Sequence, residues 1–247
     1  MRILITNDDG IYSPGIASLA RIASKFGVVR IVAPDVEQSS MGHAITHSRP
    51  ITYKTSPIQF EGIEAFRVNG TPADCVTLGS HLWGTPDVVL SGINMGPNLG
   101  NSMWHSGTLA GAKQAVLLGI KGIALSTPTG NGEPDFAMLE PYVAEVLEEL
   151  LPRPGIELYN VNFPMQAPLG TLWTRQSVRH YDSKVMSLKD PMDRDIYWLT
   201  VMPMEAAEEG TDRRAVEDGY TSITPLRLDL TDESALHAAL QETPAKS

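Results

Sequence analysis

The chain has a single cysteine, Cys75, so neither an internal disulfide framework nor a cysteine-rich zinc site can be built. That usage fits a reducing compartment, and Cys75 reads as a small buried hydrophobe. No apolar run approaches the length of a bilayer span, and no cationic segment leads into an apolar one at the start. The expected location is cytoplasmic, without a membrane partner. Basic residues are scarce: 19 Lys and Arg stand against 29 Asp and Glu, a formal charge of -10 that repels a long nucleic acid over most of the surface. A small phosphorylated molecule escapes that exclusion, because one metal ion and a few backbone amides outweigh distant charge locally. The six histidines, His43, His47, His81, His105, His180 and His237, show no His-Glu-x-x-His spacing, which removes the usual scaffold of a zinc hydrolase. There are no internal repeats and no low-complexity segments, and only Thr243–Ser247 reads as a loose tail.

What the chain does contain is patterned. Its 247 residues, 42% of them hydrophobic, suffice for one large α/β domain or a domain with an appendage. Ile3, Leu4 and Ile5 form a continuous apolar stretch suited to a parallel strand buried on both faces. Ser13 and Pro14 read as the cap and first position of a helix carrying Ile16, Leu19, Ala20, Ile22, Ala23 and Phe26, and Val28 to Val32 form the next strand. Ile51 to Tyr53 and Phe66 to Val68 suggest a short hairpin, and Thr71-Pro72 starts a helix with Val76, Leu78 and Leu82 on its apolar side. Strands at Asp87 to Ser91, Ile123 to Ser126 and Leu158 to Val161 alternate with helices near Thr108 to Leu118 and at Phe136 to Leu150, the latter capped by Asp135. This alternation predicts a doubly wound, mostly parallel sheet over residues 1–163. Beyond Pro164 the pattern breaks, with Trp173, Tyr181, Tyr197 and Trp198 around an irregular stretch from Asp182 to Asp195. Residues 164–247 therefore read as a β-rich extension, and a projecting hairpin there exposes aromatics that another subunit would cover.

Three segments carry chemistry. Asn7-Asp8-Asp9-Gly10 ends the first strand, at the edge where open α/β sheets bind ligands. Adjacent carboxylates there raise each other's pKa unless a cation lies between them, and oxygen donors suit magnesium, manganese or calcium. The same four residues also make good turn chemistry, an Asx turn joining strand to helix. The second segment, Ser91 to Gly100, carries three glycines four apart, matching neither the Gly-x-Gly-x-x-Gly fingerprint nor a Walker loop. It offers the amides of Asn94 and Asn98. The third, Ser106-Gly107-Thr108, looks like a helix start whose free amides and hydroxyls can hold an anion, and an ordinary N-cap explains Ser106 as well. Trp104 and Thr108 occupy the places where a nucleophile elbow needs glycines, which argues against a serine hydrolase.

These segments resemble the SurE survival proteins, a family of metal-dependent 5'-nucleotidases. The resemblance rests on Asn7-Asp8-Asp9-Gly10, Pro14-Gly15, Ala33-Pro34-Asp35, Gly70-Thr71-Pro72-Ala73-Asp74-Cys75-Val76, Ser91-Gly92-Ile93-Asn94, Gly96-Pro97-Asn98-Leu99-Gly100 and Ser106-Gly107-Thr108, all in family order. Later stretches, Asp190-Pro191, Tyr197-Trp198, Glu209-Gly210-Thr211-Asp212 and the run from Gly219 to Leu226, extend it over essentially the whole chain. It implies a Rossmann-like core with a C-terminal extension that makes homodimers or homotetramers, and hydrolysis of nucleoside monophosphates. Carried over by position, it implies Asp8, Asp9, Ser39 and Asn94 as ligands of one magnesium or manganese ion per subunit, and Asn98, Ser106, Gly107 and Thr108 as the phosphate residues. His105 departs from the tyrosine often found before that Ser-Gly-Thr.

The expected chemistry is in-line attack of a metal-activated water on phosphorus, with Asp8 or Asp9 taking the proton. Two rivals are a covalent aspartyl-phosphate mechanism and a non-catalytic nucleotide sensor. Against the first, Asn7 stands where an Asp-x-Asp-Gly pattern needs its leading carboxylate. His43 and His105 lie in segments expected near the site, where either can contact substrate or be a hydrogen-bonded structural group.

Overall fold

The computed structural model describes residues 1–130, 132–178, 181–203 and 206–242. His180 and the terminal stretch Thr243–Ser247 lie outside the described residues. The first strand, β1 (Arg2–Thr6), buries Ile3, Leu4 and Ile5 completely, so side chains on both faces are covered, as an unbroken apolar run requires. Ser13 then caps α1 (Pro14–Ala23) by accepting from the Gly15 amide, and β2 (Val28–Pro34) pairs parallel to β1. β3 (Tyr53–Thr55) and β4 (Glu64–Val68) pair antiparallel, the expected short hairpin with its first strand shifted past Ile51. α2 (Pro72–Trp83) follows a full capping box, in which Thr71 and Asp74 bond each other's backbone amides. Leu82, expected in its apolar stripe, is exposed. The helix seats on Leu4 and Val32 at Gly79, and its last turn lies beyond that contact.

β5 (Val88–Met95) runs further than its apolar core suggests, and is followed by α3 (Gly107–Leu117), β6 (Lys121–Thr127), α4 (Phe136–Leu150) and β7 (Leu158–Asn162). The side chain of Asp135 accepts the Met138 amide, so α4 starts where its cap predicts. β4, β2, β1, β5, β6 and β7 lie side by side in that order, all parallel. α1 and α4 cover one face around Ile3, Ile5 and Ile31, while α2 and α3 cover the other around Leu4, Val32 and Val89. Because β1 lies between β2 and β5, the chain builds outward from it first in one direction and then in the other. A crevice therefore opens at the carboxyl ends of β1 and β5.

The sheet does not stop at residue 163. β11 (Thr221–Leu226) adds antiparallel to β7, and β8 (Thr171–Trp173) lies parallel to β11 at the edge. The stretch expected to be irregular is instead a regular antiparallel hairpin of β9 (Tyr181–Lys189) and β10 (Asp195–Pro203), forming a sheet of its own. Its turn is held by Asp190, whose Oδ1 accepts the amides of Met192 at 2.8 Å and Arg194 at 2.9 Å. Two short helices, α5 (Asp212–Glu217) and α6 (Glu233–Glu242), complete the fold. Among the described residues no helix is long and apolar enough to cross a membrane.

Candidate active site

At the end of β1 the turn and the acidic pair prove to be separate tasks given to separate residues. Asn7, fully buried, bonds Gly10 twice: its Nδ2 donates to the Gly10 carbonyl at 3.0 Å and its Oδ1 accepts the Gly10 amide at 3.1 Å. Gly10 adopts a φ of +90°, open to glycine at no steric cost. With the turn closed by Asn7, Asp8 and Asp9 are left for other partners.

The neighbouring strand is shaped to meet them. β5 breaks register with β6 between Ser91 and Asn94. At Gly92, where φ is +143°, a Cβ would lie 2.3 Å from the Leu125 carbonyl oxygen, so no side chain fits. Asn94 lies beyond this irregularity and donates its Nδ2 to the Gly96 carbonyl at 2.7 Å, which leaves the amide oxygen as the group for a cation. Asp8, Asp9, Ser39, Asn94, Asn98 and Ser106 line one cleft of about 750 Å³. Gly107 and Thr108 stand directly behind Asp8. A Cβ on Gly107 would come within 2.7 Å of the Asp8 Cβ, and Thr108 Oγ1 donates to Asp8 Oδ1 at 2.6 Å. The structure thus gathers all eight residues around one point at the sheet edge.

Electrostatics there are unfavourable without a counter-ion. Burial raises the pKa of Asp8, against the hydrogen bonds of Thr108 and the nearby amides of Thr108 and Gly107. Asp9 is pushed up to about 6, first by burial, then by the charge of Asp8, with Glu37 adding to it and the Met95 amide opposing. Among the described residues no three His, Cys, Asp or Glu side chains gather into a metal site. The donors that line the cleft, two carboxylates, the Asn94 amide and the Ser39 hydroxyl, are an all-oxygen set whose chemistry fits magnesium or manganese. Ser39 fits this role: its hydroxyl donates to Glu37 Oε1 at 2.6 Å, keeping its lone pairs free.

Of the two weighed histidines, His105 lines the cleft, whereas His43 bonds Gln114 at 2.9 Å and lines a separate pocket beside Trp104 and Lys113. Three carboxylates were given no role from the sequence. Glu37 lines the cleft and holds Ser39. Asp74, besides its capping box, accepts the Thr46 amide at 2.8 Å and so pins the loop that carries Ser39. Its spacing from Thr71 is a legible capping signal; its second bond is not. Asp212, fully buried, accepts the Gly100 amide at 2.8 Å and the Ser177 amide and hydroxyl at 3.0 and 2.7 Å, tying the C-terminal part to the glycine loop.

Parallel strands opening a crevice at their carboxyl edge, with an oxygen-rich acidic pair set against a helix start, define a Rossmann-like α/β protein with an acidic cleft at the sheet edge. The sequence model of the family described as Survival protein SurE matches residues 3–183. The chain belongs to the SurE family. It is 47% identical over 242 residues to the 5'-nucleotidase SurE 1 of Thermus thermophilus, covering 96% of each chain. It is 43% identical over 249 residues to the 5'-nucleotidase SurE of Deinococcus radiodurans, covering 98% of this chain and 93% of that one. The crystal structure of the SurE protein from Aquifex aeolicus superposes with a TM-score of 0.83 at 36% identity, over 98% of this chain and 100% of the other.

Proposed function

We infer that the protein is a 5'-nucleotidase, a phosphoric monoester hydrolase that converts nucleoside 5'-monophosphates to nucleoside and phosphate. One observation carries this reading: two neighbouring carboxylates with raised pKa values, Asp8 buried and Asp9 partly buried, line a single cleft with Ser106 at the start of α3. The relatives named 5'-nucleotidase SurE support it.

In this reading Asp8, Asp9, Ser39 and Asn94 hold one magnesium or manganese ion. When bound, that ion supplies Lewis-acid activation of water and neutralises phosphate charge. The protein's own groups do the rest. The start of α3, with the amides of Gly107 and Thr108, places partial positive charge beside the phosphoryl oxygens. Ser106 Oγ accepts the Leu109 amide at 2.9 Å, so its proton remains to donate to phosphate. Asn98, beside them in the cleft, donates its Nδ2 to Thr108 at 3.3 Å and so shapes the phosphate wall without spending a donor on the phosphate. Asp8 or Asp9 accepts the proton of the attacking water as the new bond to phosphorus forms and the ester bond to the nucleoside breaks, the departing oxygen taking a proton from solvent.

Residues 1–163 form the site-bearing core in this reading, and residues 164–247 serve assembly into a homodimer or homotetramer in the cytoplasm. Exposed Tyr197, Trp198 and Leu199 on β10 support that assignment. Phosphate release from AMP in manganese, abolished by chelator, tests the function. Binding of AMP without release would make the protein a sensor, and a phosphorylated aspartate trapped by rapid quench would replace direct water attack with a covalent route.

A further inference from the structure

Asn160 and Asn162 on β7 are fully buried, and neither lines the cleft. Both act on Asn98. Asn162 Oδ1 accepts the Asn98 amide N–H at 2.8 Å while its Nδ2 donates to the Asn98 carbonyl at 3.1 Å, and Asn160 Nδ2 donates to the same carbonyl at 2.7 Å. The backbone of Asn98 is thus held at both of its polar groups. Its side chain passes the constraint on: Nδ2 donates to Ser126 Oγ at 2.8 Å and to Thr108 Oγ1 at 3.3 Å. Thr108 Oγ1 has one proton and gives it to Asp8 Oδ1 at 2.6 Å, so it can only accept from Asn98. The direction of every bond from β7 to Asp8 is therefore fixed.

Buried amides carry a large desolvation cost, and an apolar pair at positions 160 and 162 would fill a core strand without it. Their retention at the back of an acidic site points to a role in orienting its ligands. We propose that Asn162 is a positioning residue for the cation site: acting through Asn98 and Thr108, it fixes the Asp8 carboxylate in the orientation that holds a divalent ion. This rests on the reading of the cleft given above.

The test is manganese affinity, measured by calorimetry on the full chain without substrate. Asn162→Ala raises the dissociation constant about 10- to 100-fold, the usual cost of losing an outer-shell partner. Thr108→Val does the same, and the double variant is no worse than Thr108→Val alone, because both cut one chain of bonds. Ser222→Ala is the control. Ser222 lies opposite Asn162 in the β7–β11 register, is equally buried and bonds Thr174 at 2.8 Å, so its loss lowers melting temperature and leaves manganese affinity unchanged. A folded Asn162→Ala protein with wild-type affinity, or additive losses in the double variant, overturns the proposal. Should Asn162→Ala not fold, Thr108→Val decides alone, because it cuts the same chain of bonds next to Asp8; an unchanged affinity there also overturns the proposal. A wild-type protein that binds no manganese defeats the functional reading itself, whereas wild-type binding with an indifferent Asn162 defeats only this inference.

Discussion

The cleft at β1 and β5 and the hairpin β9–β10 are opposite solutions to placing unfavourable groups. In the cleft the awkward groups are carboxylates, Asp8 buried and bonded to Thr108, Asp9 partly buried and bonded to the Met95 amide. In the hairpin they are apolar, and Met192, Tyr197, Trp198 and Leu199 are each at least 66% exposed. One region is acidic and partly buried, the other apolar and exposed. In the proposed reading chemistry and assembly are therefore separable: Asp212 links the C-terminal part to Gly100, and among the described residues the hairpin contributes none to the cleft.

Changes at the cleft should hit activity hardest. Asp8→Asn removes a charge from the cation site and lowers phosphate release from AMP about 10³-fold, while circular dichroism and melting stay close to wild type. Gly107→Ala comes next. Its methyl group must displace Asp8, so activity falls about 10- to 100-fold with about 1–3 kcal/mol of destabilisation, read by denaturant titration. The hairpin gives the contrasting result: replacing Trp198 with Asp shifts the mass by light scattering toward the 26.8 kDa monomer, and AMP hydrolysis changes less than about threefold.

The smallest effect concerns pH. The folded protein holds a proton on Asp9 up to about pH 6, above the ordinary value of 3.8, so the native state binds more protons across that window. The stability of the metal-free protein therefore falls as pH rises from about 4 to about 6 and stays lower at neutrality. Asp9→Asn removes this penalty and raises the metal-free melting temperature at pH 7.5 by about 2 to 4 °C, worth about 1 kcal/mol after solvent screening. Manganese gives wild type a larger melting shift at pH 7.5 than at pH 5.

Local signals made much of this legible in the sequence. Ser13-Pro14, Thr71-Pro72 and Asp135 mark helix starts that the structure reproduces, and the apolar runs at Ile3, Val28 and Ile123 become the central parallel strands. The acidic pair stood out because repulsion between neighbours is a property of sequence alone. What escaped depends on distant partners. The return of β11 to the sheet is decided by β7, far earlier in the chain. The irregular look of Asp182 to Asp195 reflected charges alternating with apolar residues, which in a two-stranded ribbon is ordinary strand composition. Asp74, Asp212 and Asn162 act through bonds to Thr46, Gly100 and Asn98, and no spacing rule connects those pairs.

Anomalous scattering from crystals soaked in manganese tests the central claim most directly. The account predicts one strong peak per subunit within coordination distance of Asp8, Asp9 and Asn94, lost in Asp8→Asn. Carboxylates left as they are, with no ion between them at saturating manganese, would contradict it.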